Sequence, residues 1–537
     1  MPAYIASNPL PKPDQQYTAR TLPQVVVDAA AAYGSRVAII DGEVQLTYEQ
    51  LDAARISAAR AFIAAGLEKG ERIAIWAPNI YQWIIAAIGA QSVGGVLVPL
   101  NTRYKGSEGA YIIRSSGAKM LFTVGDFLGI RYPQMLADQL LPELERTVLL
   151  SGEAAACQSW EDFLAAGKGV PAKEVALRAS ALSPDDTLDI LFTSGTTGNP
   201  KGVVTGHGQN IRTFENWSAT VGLCSDDNYL IINPFFHSFG YKAGWLSAII
   251  RGARMIPVLS FELDAVLAQI ESEKISMIPG PPTIYQSLLA HPRRKEYDLS
   301  SLRLAVTGAA PVPVELVRQM REELGFEVVV TAYGLTETCG VVSICRADDS
   351  AERISHSSGC AMDDTEIQCV NKEGQPVAAG IDGEIWVRGF NVMRHYFNNA
   401  DATAEALNPD GWLKTGDVGV MDEDGYVRIT GRIKEMFIVG GFNCYPAEIE
   451  NILCDMPGIA RAAVIGVSDE RMGEVAKAFL VKEADILLDE AAVIDWSHAH
   501  MANYKMPRTV VFLSELPMNA GGKVDKAALA KSVEVER

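Results

Sequence analysis

From Ile73 to Thr102 the chain carries no charged side chain, a run long enough on length alone to cross a bilayer. Its interior argues against that use. Pro78, Asn79, Gln82, Gln91, Ser92, Gly94, Gly95 and Pro99 interrupt it. The pattern instead predicts a strand from Ile73 to Ala77, a helix capped by Asn79 and stopped at Gly94, and a second strand from Val96 to Leu100. Two apolar strands joined through a helix make a buried β-α-β unit. A chain organised around such a unit is a layered α/β protein with no membrane-spanning helix.

The same alternation extends along the chain. Thr47 and Gln50 form a capping-box signature ahead of Leu51, Ala54, Ala58 and Phe62, which share one helical face, and Gly66 ends that helix. Strand patterns recur from Thr187 to Phe192, Leu302 to Thr307 and Val328 to Ala332. Between Leu141 and Asp186 the sequence mixes Gly, Ala and charge, and it reads as a variable surface segment. Near 381–388 and 418–430 the pattern shifts to short strands around a tight turn from Asp422 to Gly425, which predicts a β-rich subdomain. After Arg432 roughly a hundred residues remain, enough for a small separate domain holding both strand and helix signals.

Charge narrows the partners. With 66 acidic against 47 basic residues and a formal charge of −19, the surface disfavours nonspecific contact with nucleic acid or anionic membrane. A nucleotide is not excluded, because it reads a local cluster of donors. The 8 cysteines include no C-x-x-C pair and the 7 histidines are dispersed, so no zinc pattern is present. This usage fits a reducing, cytoplasmic setting. Pro9, Pro11 and Pro13 stand where a signal peptide needs an apolar run, so the N-terminus reads as an irregular arm.

The strand pattern ending at Phe192 leads into Thr193-Ser194-Gly195-Thr196-Thr197-Gly198-Asn199-Pro200-Lys201-Gly202. Glycines let the backbone present N–H groups to an anion, the hydroxyls add donors, and Lys201 adds a full positive charge. Polyphosphate binding needs those groups together. The segment is not a Walker A loop, because Lys201 is followed by Gly202 and the β-prone Val203-Val204 and not by Ser or Thr and a helix.

The whole string closely resembles the signature of the adenylate-forming superfamily of acyl-CoA synthetases, luciferases and peptide-synthetase adenylation domains. That resemblance implies further motifs, and each occurs in order. Tyr333-Gly334-Leu335-Thr336-Glu337 matches the aromatic-Gly-x-Thr-Glu segment. It implies a tyrosine ring on adenine, Thr336 at the α-phosphate and Glu337 on Mg²⁺. Upstream, Thr307-Gly308-Ala309-Ala310-Pro311 matches the small-residue segment lining the adenine and carboxylate sites. Thr415-Gly416-Asp417 resembles the ribose-binding triplet, and Arg432 the second ribose contact. A carboxylate suits two vicinal hydroxyls because it accepts a hydrogen bond from each. Lys434 stands at the implied hinge. Gly440 and Gly441 match the loop that faces the site during thioester formation and leave a channel for the pantetheine arm of coenzyme A. Lys523, in Pro517-Met518-Asn519-Ala520-Gly521-Gly522-Lys523, matches the catalytic lysine of the adenylation step. The family often has Ser or Thr where Gly521 stands, a change expected to loosen the loop and leave the lysine in place.

The resemblance implies an α/β chain divided into a large N-terminal adenylation domain at 1–432 and a small mobile α+β domain at 433–537. The first would hold layered α/β subdomains plus the β-rich subdomain. The implied chemistry is ATP- and Mg²⁺-dependent formation of an acyl-adenylate, followed by transfer to coenzyme A. His237, in Asn233-Pro234-Phe235-Phe236-His237-Ser238-Phe239-Gly240, falls where related ligases place an aromatic or a histidine. Amino-acid-activating relatives place an aspartate there, and its absence argues against an amino-acid substrate. His237, Tyr241, Ala309, Ala332, Gly334 and Cys339 are the acyl-pocket candidates. The small residues among them leave room for a bulky acid. The strings Asn233 to Gly244, Pro279 to Leu289 and Leu299 to Ala310 look like those of bacterial sterol-catabolism CoA ligases, which act on HIP, a methyl-indanedione propionate left after steroid ring breakdown. Medium-chain or aryl acids, or a carrier-protein thiol in place of coenzyme A, stay open as alternatives. Nothing in the sequence fixes an oligomeric state, and a homodimer is carried as an option.

Overall fold

A computed structural model describes residues 19–193, 200–308, 312–439, 442–469, 471–483, 486–519 and 523–535. The proline-rich arm, Ser194, Gly195, Thr196, Thr197, Gly198, Ala309, Ala310, Gly440 and Gly441 lie outside the described residues.

The charge-free run folds as the β-α-β unit its punctuation predicts. Strand Arg72–Trp76 and strand Val96–Pro99 pair in parallel, and helix Tyr81–Gln91 connects them. Both faces of this helix are covered, which explains why no polar stripe marks its sequence. Asn79 does not cap it; Ile80 holds that position. The Asn79 amide instead donates to the carbonyls of Ile231 and Asn233 at 3.3 and 2.9 Å, and its oxygen accepts the Phe235 N–H at 2.8 Å. A buried side-chain amide bonded at both ends is committed to the neighbouring sheet and has no lone pair aimed at the helix. The helix also stops earlier than expected, at Gln91, and Gly94 lies in the following turn with φ of 89°.

Among the described residues the strands form two large sheets and two smaller ones. One sheet has 8 strands; its central part, built from Val96–Pro99, Arg72–Trp76, Ala118–Val124 and Arg146–Ser151, is parallel. The other has 9 strands, with Asn228–Ile231, Met277–Gly280, Leu304–Thr307 and Val328–Tyr333 running parallel at its centre. A single apolar core joins both sheets. The capping box at Thr47 forms as read: Thr47 Oγ1 accepts the Gln50 N–H at 3.2 Å, and Gln50 Oε1 accepts the Thr47 N–H at 2.8 Å. Helix Tyr48–Ala64 follows it, with Leu51, Ala58 and Phe62 fully buried.

The 141–186 segment is more ordered than its sequence implies. It contributes strand Arg146–Ser151 to the parallel part of the 8-stranded sheet and two helices, Trp160–Ala166 and Ala172–Ser180. Trp160 and Phe163 pack with Phe122 and Phe62. Short elements give too few turns for a periodic signal, and a few buried side chains, Val148, Leu150, Trp160, Phe163 and Val175, anchor them.

The predicted β-rich region is a 4-stranded antiparallel sheet of Thr365–Val370, Gly383–Gly389, Leu413–Met421 and Val427–Arg432. Beyond it, Ile459–Asp469 and Gly473–Lys482 form the longest hairpin of a further sheet, against which helices Pro446–Cys454 and Lys526–Val535 pack. This C-terminal α+β domain has apolar clusters of its own. Among the described residues no helix is long and apolar enough to cross a membrane.

Candidate active site

The Gly/Thr loop joins two antiparallel strands, Thr187–Thr193 and Lys201–Gly206, with Thr193 paired to Lys201 at its base. A hairpin, and not a strand-to-helix turn, therefore carries the loop, as the β-prone residues after Lys201 require. The Lys201 ammonium lies 5.1 Å from the centroid of the Tyr396 ring. Tyr396 belongs to the two-residue strand His395–Tyr396 beside the hairpin, and its hydroxyl donates to Glu337 Oε1 at 2.8 Å. One aromatic thus bridges the loop cation and the carboxylate expected to hold the metal. Sequence reasoning missed Tyr396, because a lone tyrosine in so short a strand has neither motif nor period.

Glu337 sits in the turn Thr336–Thr338, half-buried like Thr336, with its backbone carbonyl accepting the Met393 N–H at 2.7 Å. No group of three or more His, Cys, Asp or Glu capable of holding a metal occurs among the described residues. A hard cation is instead suited by one carboxylate plus phosphate oxygens, the mode Mg²⁺ favours. Gly334, just before this turn, is required for packing: a Cβ there would stand 2.2 Å from the Gly340 carbonyl oxygen.

Asp417 and Arg432 face each other across the antiparallel ladder of Leu413–Met421 and Val427–Arg432. Arg432 Nε donates to Asp417 Oδ1 at 2.9 Å, and the Tyr333 hydroxyl donates to Oδ2 at 2.6 Å. Two strands of one sheet and the end of a strand from another therefore meet on a single carboxylate. The tyrosine expected to stack on a base and the carboxylate expected to hold its sugar are tied together.

His237 follows the C-terminal end of strand Asn228–Ile231, in the loop clamped by Asn79. Its Nδ1 accepts the Phe239 N–H at 3.2 Å, which leaves the proton of the neutral ring on Nε2. Gly240 lets this loop close, since a Cβ would fall 2.2 Å from the Asn233 and Pro234 carbonyl oxygens. Burial in the fold, together with the charge of Lys523, holds the imidazole down to about 4. Lys523 is itself shifted below its ordinary range, by burial and by Arg432, against the pull of Asp417, Glu435 and Glu337. Both side chains keep surface open to solvent although protein surrounds them on most sides. Lys523 of the C-terminal domain stands within electrostatic reach of His237, Glu337, Asp417 and Arg432.

The remaining acyl-pocket candidates lie at different depths. Gly334 is exposed and Ala332 half-buried, while Tyr241 and Cys339 are fully buried. Tyr241 accepts a hydrogen bond from Gln91 Nε2 at 2.9 Å and stacks on Trp245. Next to it, the buried Lys242 ammonium donates to Asp189 Oδ1 and Thr205 Oγ1, each at 3.2 Å. Thr205 donates to the same Asp189 oxygen at 2.6 Å and accepts from Asn210 Nδ2 at 2.9 Å. This sealed ion pair joins the phosphate-loop strands to the turn Tyr241–Leu246, and no local pattern signals it. Lys434 stands exposed in the turn Ile433–Glu435.

Lys201 at the base of a hairpin, Glu337 joined to it through Tyr396, and Asp417 bonded to Arg432 and Tyr333 make the arrangement that the motifs of the adenylate-forming class imply. Residues 26–397 match the AMP-binding enzyme family, and residues 448–523 match the AMP-binding enzyme C-terminal domain. The chain belongs to this family, in its acyl-CoA synthetase branch, and it is an AMP-forming acid–thiol ligase.

It is 46% identical over 510 residues to the 3-[(3aS,4S,7aS)-7a-methyl-1,5-dioxo-octahydro-1H-inden-4-yl]propanoyl:CoA ligase of Mycobacterium tuberculosis, covering 95% of this chain and 98% of that one. The ligase of the same name from Rhodococcus jostii is 44% identical over 515 residues, with the same coverage. Among solved structures, an anthranilate CoA ligase in complex with anthranoyl-AMP superposes with a TM-score of 0.84 at 25% identity, covering 96% of this chain and 98% of that one. An ATP-bound MatB from Rhodopseudomonas palustris superposes with a TM-score of 0.83 at 27% identity, covering 95% of this chain and 98% of that one.

Proposed function

We propose that this ligase activates a bulky, steroid-derived propionate of the methyl-indanedione type and joins it to coenzyme A. The observation that carries the substrate is the 46% and 44% identity, over 95% of the chain, to two ligases named for that acid.

In the first half-reaction a carboxylate oxygen of the acid attacks the α-phosphorus of ATP, and the bond to pyrophosphate breaks. Negative charge builds on the phosphate oxygens, so fixed positive groups accelerate the step more than any nucleophile could. Lys201 and the Thr193 loop hold the polyphosphate, Thr336 donates to the α-phosphate, and Lys523 spans substrate carboxylate and phosphate. Glu337 would hold Mg²⁺, which would supply further charge neutralisation at these oxygens. Asp417 and Arg432 fix the ribose, with Tyr333 against the adenine. Neutral His237, with its proton on Nε2, is a donor for an oxygen of the carboxylate or the adenylate.

In the second half-reaction the small domain turns about Lys434, which withdraws Lys523 and brings Gly440 and Gly441 to the cleft. The thiol sulfur of coenzyme A attacks the acyl carbon, the bond to AMP breaks, and the thiol proton leaves to solvent. Such a rearrangement is a hinge motion that completes the site anew for each step.

The test is a panel of acids assayed for thioester formation with free coenzyme A. The indanedione propionate is expected to give the highest kcat/KM. A clear preference for medium-chain or aryl acids removes the proposed substrate, and turnover only with a carrier protein removes coenzyme A as the acceptor.

A further inference from the structure

The link between the two domains is anchored on both sides. On its N-terminal side Arg432 is held in the ladder opposite Asp417 and bonded to it at 2.9 Å. On its C-terminal side Glu435 Oε2 accepts from Lys526 Nζ at 2.8 Å. Lys526 also lies 2.8 Å from Glu450 Oε1, and that oxygen accepts the Val464 N–H at 2.8 Å. Glu450 belongs to helix Pro446–Cys454 and Val464 to strand Ile459–Asp469, so Lys526 pins Glu435 to the body of the small domain. Between the two anchors stand only Ile433 and Lys434, both exposed.

Lys526 is also three residues from Lys523, and backbone bonds join the two. Val524 bridges to Met518, and the Asp525 N–H donates to the Pro517 carbonyl at 2.8 Å. The Asn519 N–H donates to the Lys523 carbonyl at 2.8 Å, and Asn519 Oδ1 accepts the Lys523 N–H at 3.1 Å. A single ammonium therefore ties the flank of the hinge to the base of the loop that carries the adenylation lysine.

We propose that Lys526 is a positioning residue for adenylation: by locking Glu435 to the small domain it confines the pivot to Ile433 and Lys434 and sets where Lys523 enters the cleft. This rests on the assignment of Lys523 to the adenylation step. The chemistry requires a cation at this point. Without one, Glu435 and Glu450 are left as two neighbouring carboxylates that repel, and the turn Ile433–Glu435 separates from helix Pro446–Cys454. All three side chains of the lock lie C-terminal to the pivot, so the lock travels with the domain. Its loss widens the arc available to Lys523 and removes no group that touches substrate.

The test measures both half-reactions in the full-length chain carrying Lys526→Met, Lys526→Arg, Glu435→Gln or Lys523→Ala. Adenylation is read as carboxylate-dependent pyrophosphate release, and thioester formation as coenzyme A-dependent AMP release from supplied acyl-adenylate. Lys526→Met is expected to slow adenylation about tenfold, the scale of a sub-ångström to ångström misplacement of a catalytic group, and to leave thioester formation within about twofold. Lys526→Arg restores adenylation. Glu435→Gln shifts the same half-reaction in the same direction, and the double variant Lys526→Met with Glu435→Gln is less impaired than the product of the two single effects.

Equal losses in both half-reactions identify a merely structural role and overturn the proposal. Full adenylation by Lys526→Met beside inactive Lys523→Ala overturns it while leaving the role of Lys523 intact. Full adenylation by Lys523→Ala overturns both.

Discussion

Replacing Asp417 by Asn changes one oxygen into an NH₂ group and removes one charge, and the partners of that carboxylate set the cost. The carboxylate has about four lone-pair sites. Arg432 Nε takes one on Oδ1 and the Tyr333 hydroxyl takes one on Oδ2, leaving one on each oxygen for the two ribose hydroxyls. In the variant the amide oxygen must face Arg432, which can only donate, and the NH₂ must face Tyr333, whose hydroxyl can accept. One lone pair then remains for ribose, and it is uncharged. The second N–H of the amide can still donate to a ribose hydroxyl, so both ribose bonds persist without charge assistance, a combined loss of about 1.5–3 kcal/mol. At about 1.4 kcal/mol per decade, KM for ATP rises roughly 10- to 100-fold. Ribose contacts are the same before and during phosphoryl attack, so kcat falls only a few-fold. The assay is carboxylate-dependent pyrophosphate release over a range of ATP concentrations at saturating acid. An unchanged KM for ATP, or a loss confined to kcat, refutes the ribose assignment and leaves Asp417 as a tie between sheets.

Lys523→Ala is expected to slow adenylation roughly 10²-fold or more, as removal of one preorganised charge does, while sparing AMP release from supplied acyl-adenylate; equal damage to both half-reactions defeats the assignment. Asp189→Asn leaves the Lys242 ammonium buried without its counter-charge and is expected to cost about 3–5 kcal/mol, read as a lower urea midpoint. The joint change Asp189→Leu with Lys242→Met should recover most of that loss, and failure to do so argues that the pair does more than neutralise itself. His207 is fully buried, and burial holds its imidazole down from 6.5 to about 4, with Arg394 and Lys69 adding to the effect and Asp186 opposing it. The unfolded chain therefore binds this proton first, so the stabilisation is complete above about pH 6.5 and is lost as pH falls towards 4. The integrated effect is on the order of 3 kcal/mol. The melting temperature should fall more steeply between about pH 7 and 5 in the native chain than in His207→Gln, and parallel slopes contradict the account.

The fold was legible wherever a run of residues had one environment. The charge-free stretch announced a fully covered β-α-β unit, and the shift to short strands beyond residue 381 announced the antiparallel sheet. What failed was assignment by single residues. Asn79 reads as a helix cap because caps are the commonest use of asparagine before an apolar run, but its partners Ile231 and Phe235 are more than 150 residues away. Trp160 and Phe163 anchor one short helix, and Val175 the next, whose sequences look irregular because each has too few turns to repeat. In the site, Glu337, Asp417 and Arg432 announce themselves through fixed motifs. Tyr396 and the Lys242–Asp189 pair do not, because they function through partners brought from other strands and carry no local signature. The lock at Lys526 is of the same kind: three charges that mean nothing apart, at positions 435, 450 and 526, meet only after the small domain has folded.

The central claim is that this cleft makes an acyl-adenylate from ATP and a carboxylic acid. Mass spectrometry of the purified chain given MgATP and the indanedione propionate, with coenzyme A withheld, tests it without an intermediate inference. The account predicts a bound species of the mass of acid plus AMP less one water, pyrophosphate in equal amount, and conversion to thioester and AMP once coenzyme A is added. Bound ATP that persists intact with this acid and with medium-chain and aryl acids alike would contradict it, leaving a nucleotide-binding protein without the chemistry.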